Sequence, residues 1–218
     1  MKILITNDDG IKSENLRVLA NSVKKHYPND EIIVVAPETE QSAVSHAITI
    51  KNIGSIYPLP EMVEGVKTYM VDATPASCVL MAKNKLNYDF DLVFSGINNG
   101  LNIGIDVVYS GTCGAALEAL RFCDLTIALS CNVDTVEGFL QKEEEIFSFI
   151  KQVKIKNTCL NINIPRNPKG FKLTFQEGTN RGQSDCAAIE QNYISITPIE
   201  LDMTDYKKLE QLKTNIKF

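Results

Sequence analysis

The sequence predicts an α/β protein built on a doubly wound, largely parallel sheet, and three observations carry that expectation. Short apolar runs such as Ile3-Leu4-Ile5, Ile32-Ile33-Val34-Val35 and Leu92-Val93-Phe94 are bounded by turn formers, as strands buried on both faces require. Between them lie segments with apolar residues at helical spacing. Strand and helix patterns then alternate through residue 164, the order that yields parallel crossovers.

The first strand runs from Lys2 into Asn7-Asp8-Asp9-Gly10, where the apolar pattern stops and Gly10 can supply a positive φ. Leu16, Leu19, Ala20 and Val23 give one apolar face to a helix from Glu14 to His26, with Ser13 as N-cap and His26 at its polar end, on the surface. Glu31 to Ala36 is the second strand, stopped by Pro37, and Pro37 to Ser45 is a loop at its tip. Ile48 to Ile53 reads as extended, while Pro58, Pro60 and Gly65 read as an irregular excursion. Tyr69 to Val71 is a short strand, and a helix follows through Asn84 with Thr74 as cap and Pro75 in its first position.

Leu92 to Phe94 opens into a loop from Ser95 to Gly104 that holds three glycines and three asparagines. Tyr109-Ser110-Gly111-Thr112 then precedes a helix marked by Ala115, Ala116, Leu117, Ala119 and Leu120. Leu125 to Ser130 is a strand, Phe139 to Val153 a helix, and Leu160 to Ile164 a strand whose Asn161 and Asn163 suggest one wetter face. Phe171 to Phe175, a loop at Gly178 to Ser184, a strand at Tyr193 to Thr197 and a final amphipathic helix through Tyr206, Leu209 and Leu212 complete the chain. The expected organisation is one domain over 1–218, with an α/β core at 1–165 and a small C-terminal β-hairpin/helix appendage at 166–218.

Composition sets outer bounds. With 218 residues, 44% hydrophobic, the chain can bury a sizeable core, and a net charge of −5 argues against a nucleic-acid-binding surface. An anionic substrate would need a metal or backbone N–H groups to meet it. No signal-peptide pattern opens the chain, and no stretch approaches the roughly 18 apolar residues of a membrane span, so a cytoplasmic protein without membrane partners is expected. The six cysteines, Cys78, Cys113, Cys123, Cys131, Cys159 and Cys186, form no CxxC pair, which speaks for reduced thiols and against a zinc site.

The chemistry gathers at strand tips. Asp8 and Asp9 follow the first strand, Ser42 lies in the loop after the second, and Asn98 follows the strand that ends at Phe94. In open α/β sheets this edge is where ligands bind. Adjacent carboxylates repel unless a cation or protons share them, so Asp8 and Asp9 imply a metal, a raised pKa or full solvation; Asp-Asp-Gly is also an ordinary solvated turn. Oxygen donors of this kind suit a hard ion such as Mg²⁺ or Mn²⁺. Ser110 to Thr112 ahead of a helix suits an anion, because first-turn N–H groups lack intrahelical partners; simple capping by Thr112 explains the same residues. A hard metal beside an anion pocket reads as phosphoryl-group hydrolysis.

These blocks resemble the SurE survival proteins, a family of metal-dependent nucleoside-5′-monophosphate phosphatases. Asn7-Asp8-Asp9-Gly10, Ala36-Pro37 with Ser42, Thr74-Pro75 with Cys78, Ser95-Gly96-Ile97-Asn98, Tyr109-Ser110-Gly111-Thr112 and Tyr193 to Pro198 match its blocks in order. The resemblance implies a Rossmann-like fold and 5′-nucleotidase activity, with short polyphosphate as a further substrate. It implies one Mg²⁺ or Mn²⁺ per subunit on Asp8, Asp9, Ser42 and Asn98; Asp8 and Asp9 are then the expected catalytic pair, Asp9 as base and Asp8 as the firmer ligand, although an aspartyl-phosphate route stays open. Its phosphate pocket falls on Asn102, Ser110, Gly111 and Thr112, with Asn7 beside the metal. Ala43, Ser77 and Gln41 depart from the family's usual glycine, aspartate and arginine, and the stretch around Arg181 to Asp185 lacks most of a long hairpin. These departures bear on substrate preference and assembly. A homodimer held by the C-terminal helix, whose stripe is Tyr206, Leu209, Leu212 and Ile216, is the expected assembly. The alternative function is a nucleotide-binding regulatory module that saturates without product, and a scaffold with a solvated Asp8-Asp9 turn would show no response to Mn²⁺.

Overall fold

The structure, a computed structural model, describes residues 1–50, 55–177 and 183–215. Part of the extended segment expected at Ile48 to Ile53 therefore lies outside the described residues, as do most of the Gly178 to Ser184 loop and Ile216. In chain order the elements are β1 (Lys2–Thr6), α1 (Glu14–His26), β2 (Glu31–Pro37), β3 (Ile56–Val63), β4 (Val66–Val71), α2 (Pro75–Asn84), β5 (Leu92–Asn99) and α3 (Asp106–Tyr109). There follow α4 (Gly111–Ala119), β6 (Leu125–Cys131), α5 (Glu137–Gln152), β7 (Thr158–Ile164), β8 (Phe171–Leu173), α6 (Asp185–Glu190), β9 (Ile194–Ile199) and α7 (Tyr206–Asn215).

Among the described residues the strands form one nine-stranded sheet, ordered β3-β4-β2-β1-β5-β6-β7-β9-β8. From β4 to β7 every neighbouring pair is parallel. Strand side chains alternate between two apolar layers. Ile3, Ile5, Phe94, Ile127 and Leu129 pack with α1 and α5, whereas Leu4, Ile33, Val35 and Val93 pack with α2 and α4. The sheet is thus covered on both faces, and the chain winds outward in both directions from β1. Beyond β7, β9 pairs antiparallel and β8 pairs parallel to β9, so the C-terminal strands continue the same sheet.

Five local expectations are corrected. The segment with Pro58 and Pro60 is an edge strand, β3, because a proline without an N–H is tolerated where no outer neighbour needs one. Asn161 and Asn163 do not face water: both are fully buried and hydrogen-bonded, as described below. The helix expected near Ala115 begins at Gly111, and its N-cap is Ser110, whose hydroxyl accepts from the Cys113 N–H at 3.0 Å. His26 is not a simple surface residue, since its ring stacks on Phe147 at 4.2 Å and 9° and its side chain is 8% exposed. Ser13 and Thr74 occupy the expected cap positions without making the capping bond; the Thr74 hydroxyl donates to the Ala47 carbonyl instead. The short helices α3 and α6 had no clear sequence signal.

No helix among the described residues is long and apolar enough to cross a membrane. Phe147 is the hub of the α1/α5 layer, fully buried against Tyr27, Phe94, Phe139 and His26. Phe147→Ala should lower unfolding free energy by about 3–5 kcal/mol in urea titration, whereas Leu140→Ala on the exposed side of the same helix should stay within about 0.5 kcal/mol.

Candidate active site

Strand order reverses between β1 and β5, because the chain runs to β2 and β4 on one side and to β6 and β7 on the other. Crevices at such switch points, beyond the carboxyl ends of the strands, are ligand sites. Asn7, Asp8 and Asp9 leave β1 at this place. The Asn7 amide donates to the Gly10 carbonyl at 3.0 Å, and Gly10, at φ +91°, turns the chain. An added Cβ on Gly10 would stand 3.0 Å from the backbone carbon of Thr39, so the turn is tied to the loop after β2.

Asp8 is buried, and both of its carboxylate oxygens receive donors from Thr112: the hydroxyl donates to Oδ1 and the backbone N–H to Oδ2 at 3.1 Å. The first turn of α4 therefore rests on this carboxylate. Gly111 permits the approach, since a Cβ there would meet Asp8 Cβ at 3.0 Å and Oδ2 at 3.1 Å. The Asp8 backbone carbonyl accepts from Gln41 N–H at 2.7 Å, drawing in the loop that carries Ser42. Asp9 is half-buried and accepts from the Asn99 N–H at 3.2 Å, which links the β1 tip to the β5 tip.

Burial pushes the Asp8 carboxyl above its ordinary range, against the opposing pull of the Thr112 bonds. Burial, followed by the neighbouring Asp8 charge, pushes Asp9 up to about 6. Asp9, Glu14, Glu40, Ser42, Asn99 and Asp134 line a cleft of about 530 Å³, and among the described residues no lysine or arginine lines it. Ser42 is exposed there, its hydroxyl donating to Glu40 Oε1 at 2.6 Å. Asn98 sits just past a register shift in β5, and its amide donates to the Gly100 carbonyl at 2.8 Å.

The remaining expected residues have other surroundings. Ser110 is buried as the α4 cap. Asn102 is buried and heavily bonded: its N–H donates to Asn163 Oδ1 at 2.7 Å, its amide to Ser130 Oγ at 2.7 Å, and its carbonyl accepts from the Asn161 and Asn163 amides at 2.8 and 3.0 Å. Asp185, fully buried, accepts from the Gly104, Glu177 and Cys186 N–H groups at 2.9, 2.9 and 2.8 Å. Glu177, Asp185 and Cys186 bring ligand-type atoms close together, but these three backbone donors already occupy the Asp185 carboxylate. Asn161, Asn163, Ser130 and Asp185 thus hold the 100–104 loop in place. The paired Asn161 and Asn163 on a strand were the one sequence signal of this. Ser77 proves to be a loop anchor too, accepting from the Thr49 N–H at 2.8 Å.

A family model described as survival protein SurE matches residues 3–183. The chain belongs to this family. It is 33% identical to a protein named 5′-nucleotidase SurE from Caldanaerobacter subterraneus subsp. tengcongensis, over 97% of this chain and 96% of that one. It is 36% identical to the protein of the same name from Alkaliphilus metalliredigens, with 98% of each covered. The crystal structure of the SurE protein from Aquifex aeolicus superimposes with a TM-score of 0.81 at 28% identity, covering 98% of this chain and 99% of that one. The two sequence alignments run over 252 and 251 positions against the 218 residues of this SurE chain, so both relatives carry sequence that it lacks.

The raised Asp9 pKa has a consequence for the metal-free protein. The fold binds this proton more tightly than the unfolded chain, so its stabilising effect holds at low pH and is lost as pH rises from about 4 through about 6. Asp9→Asn keeps an acceptor for the Asn99 N–H and removes the charge. In chelator, its Tm should exceed that of the unmodified protein above pH 6, and the gap should close below pH 4; thermal shift across that range checks it.

Proposed function

We infer that this SurE chain is a 5′-nucleotidase, a phosphomonoesterase that releases inorganic phosphate from nucleoside 5′-monophosphates. The observation that carries the reading is a pair of carboxylates at the switch point, both with raised pKa: Asp8 is buried against the N-terminus of α4, and Asp9 lines a cleft with no cationic side chain in its described lining. The names of the relatives supply the substrate class.

The donor set fits a hard divalent cation, Mg²⁺ or Mn²⁺, one per subunit. Asp8, Asp9, Ser42 and Asn98 offer carboxylate, hydroxyl and amide oxygens without thiolate or imidazole among them. When bound, such an ion supplies the positive charge that an anionic phosphoryl group lacks in this acidic cleft. Asp8 is the firmer ligand, because its position is fixed. Asp9, the more exposed of the two, takes the proton of the attacking water. The α4 N-terminus offers the phosphate its macrodipole and the Gly111 N–H, since the Thr112 and Cys113 N–H groups are taken by Asp8 Oδ2 and Ser110 Oγ. Asn7 fixes the turn that carries both carboxylates, and Asn102 fixes the loop facing them.

For assembly we infer a homodimer. Tyr206, Leu209 and Leu212 on α7 are 60%, 38% and 54% exposed, an apolar stripe with nothing buried beneath it. Near the base of that helix, Val107, Leu117, Ile199, Leu201 and Met203 line a largely apolar groove of about 660 Å³. A second copy of α7 is the occupant this reading assigns. The shortened stretch before Asp185, of which Arg181 lies outside the described residues, leaves the site more open, so contacts that discriminate among bases are fewer. Six unpaired cysteines suit a reducing, cytoplasmic setting.

Phosphate release from AMP with Mn²⁺ or Mg²⁺ tests the activity, and nucleotide saturation without product would overturn it. Asp9→Asn should lower kcat by about 10²–10⁴-fold. Light scattering during size exclusion should report a dimer, and AMP, GMP, CMP and UMP should be cut at similar rates. A tetramer with one strongly preferred base counts against the open site.

A further inference from the structure

Within that metal-site reading, we propose that Thr112 is a positioning residue that aims the Asp8 carboxylate, and that its side chain is not a ligand of the phosphate. Thr112 is fully buried. Its hydroxyl donates to Asp8 Oδ1 and its N–H to Oδ2, so one residue grips both oxygens of one carboxylate. Two donors on two oxygens fix the rotation of the carboxylate plane as well as its position. A threonine hydroxyl has a single proton, and here it is spent on Asp8. Toward a phosphate it could present only lone pairs, and phosphate oxygens are themselves acceptors.

The neighbouring positions divide the work differently. Gly111 has no Cβ because Asp8 fills that space. Ser110 accepts from the Cys113 N–H and its hydroxyl also bonds the Cys113 side chain, so it serves as the helix cap. The first turn of α4 therefore serves the site through Thr112, which holds the metal ligand. Partners that orient a metal ligand in this way typically change metal affinity or activity by 10–100-fold when removed.

The test is a Mn²⁺ titration of substrate-free protein, read by thermal shift and calorimetry, together with inhibition by inorganic phosphate at saturating Mn²⁺. Thr112→Val should shift the Mn²⁺ midpoint upward by about 10–100-fold and leave phosphate inhibition unchanged once metal saturates. Thr112→Ser, which restores the hydroxyl, should return the midpoint to the wild-type value. Ser110→Ala, which removes the helix cap and leaves the Asp8 clamp in place, should leave the Mn²⁺ midpoint unmoved. A valine variant with the wild-type Mn²⁺ midpoint and weakened phosphate inhibition overturns the proposal. Thr112→Ala gives a second deletion without added bulk, and if neither deletion folds the hydroxyl is a structural group, which also overturns it. Wild-type protein that takes up no Mn²⁺ fails the metal-site reading itself, an outcome seen without any variant.

Discussion

A carboxylate taken out of water keeps its charge only where donors or a cation replace the lost solvation. Asp8 is in that position at the tip of β1, and its side-chain oxygens are met by the Thr112 hydroxyl and N–H and by its own backbone N–H. Much of the site's architecture follows from this bond pair. It sets how close α4 comes to the β1 tip, and that closeness requires glycine at 111. The same helix then needs glycine at 114, where a Cβ would stand 2.6 Å from the Ser45 carbonyl, because the loop carrying Ser42 is pressed onto it. Ser45 completes that seam, its N–H donating to the Tyr109 carbonyl at 2.8 Å and its hydroxyl to the Val108 carbonyl at 2.6 Å.

The opposite rim is held by buried amides. Asn102 spends its N–H, carbonyl and side-chain amide on Asn161, Asn163 and Ser130, all fully buried. A loop rich in glycine is conformationally permissive, so its shape has to be imposed by such bonds. Asp185 adds the tie from the C-terminal segment, gripping Gly104 at one end and Glu177 at the other. The C-terminal part thus reaches the site through hydrogen bonds to backbone, while its own strands extend the sheet far from the crevice.

What was legible in the sequence follows from these physical causes. Ile3 to Ile5 and Ile32 to Val35 announce themselves because a strand buried on both faces reads as a near-continuous apolar run. The α1 stripe is legible for the matching reason: one wet face, one dry. Pro58 and Pro60 hid β3, since an edge strand tolerates the residue that excludes a central one. Asn161 and Asn163 misled because polarity in a strand suggests water, and their partner, Asn102, lies 59 and 61 residues away in the chain. The start of α4 was displaced for a reason tied to function: Gly111 and Gly114 weaken the helix signal, yet both are demanded by what touches the helix. The carboxylate pair itself was plain, whereas the clamp on Asp8 needed the fold to bring residue 112 to residue 8.

The electrostatics close the argument. The chain carries a net charge of −5, and the cleft concentrates Asp9, Glu14, Glu40 and Asp134 around the candidate site. A phosphomonoester approaching this surface meets these carboxylates and no cationic side chain in the described lining, with only the N-terminus of α4, packed on Asp8, to offer positive charge. That half-charge cannot offset four carboxylates, so the cleft becomes attractive to an anion only when it holds a cation. Cation and substrate are therefore coupled: each is bound more tightly in the presence of the other, and by the same factor. The raised Asp9 pKa is the same coupling seen from the protein's side, a carboxylate that takes up a proton where a cation is missing. An acidic site of this kind lowers the stability of the cation-free protein as pH rises, while the clamp from Thr112 holds the Asp8 carboxylate in one orientation.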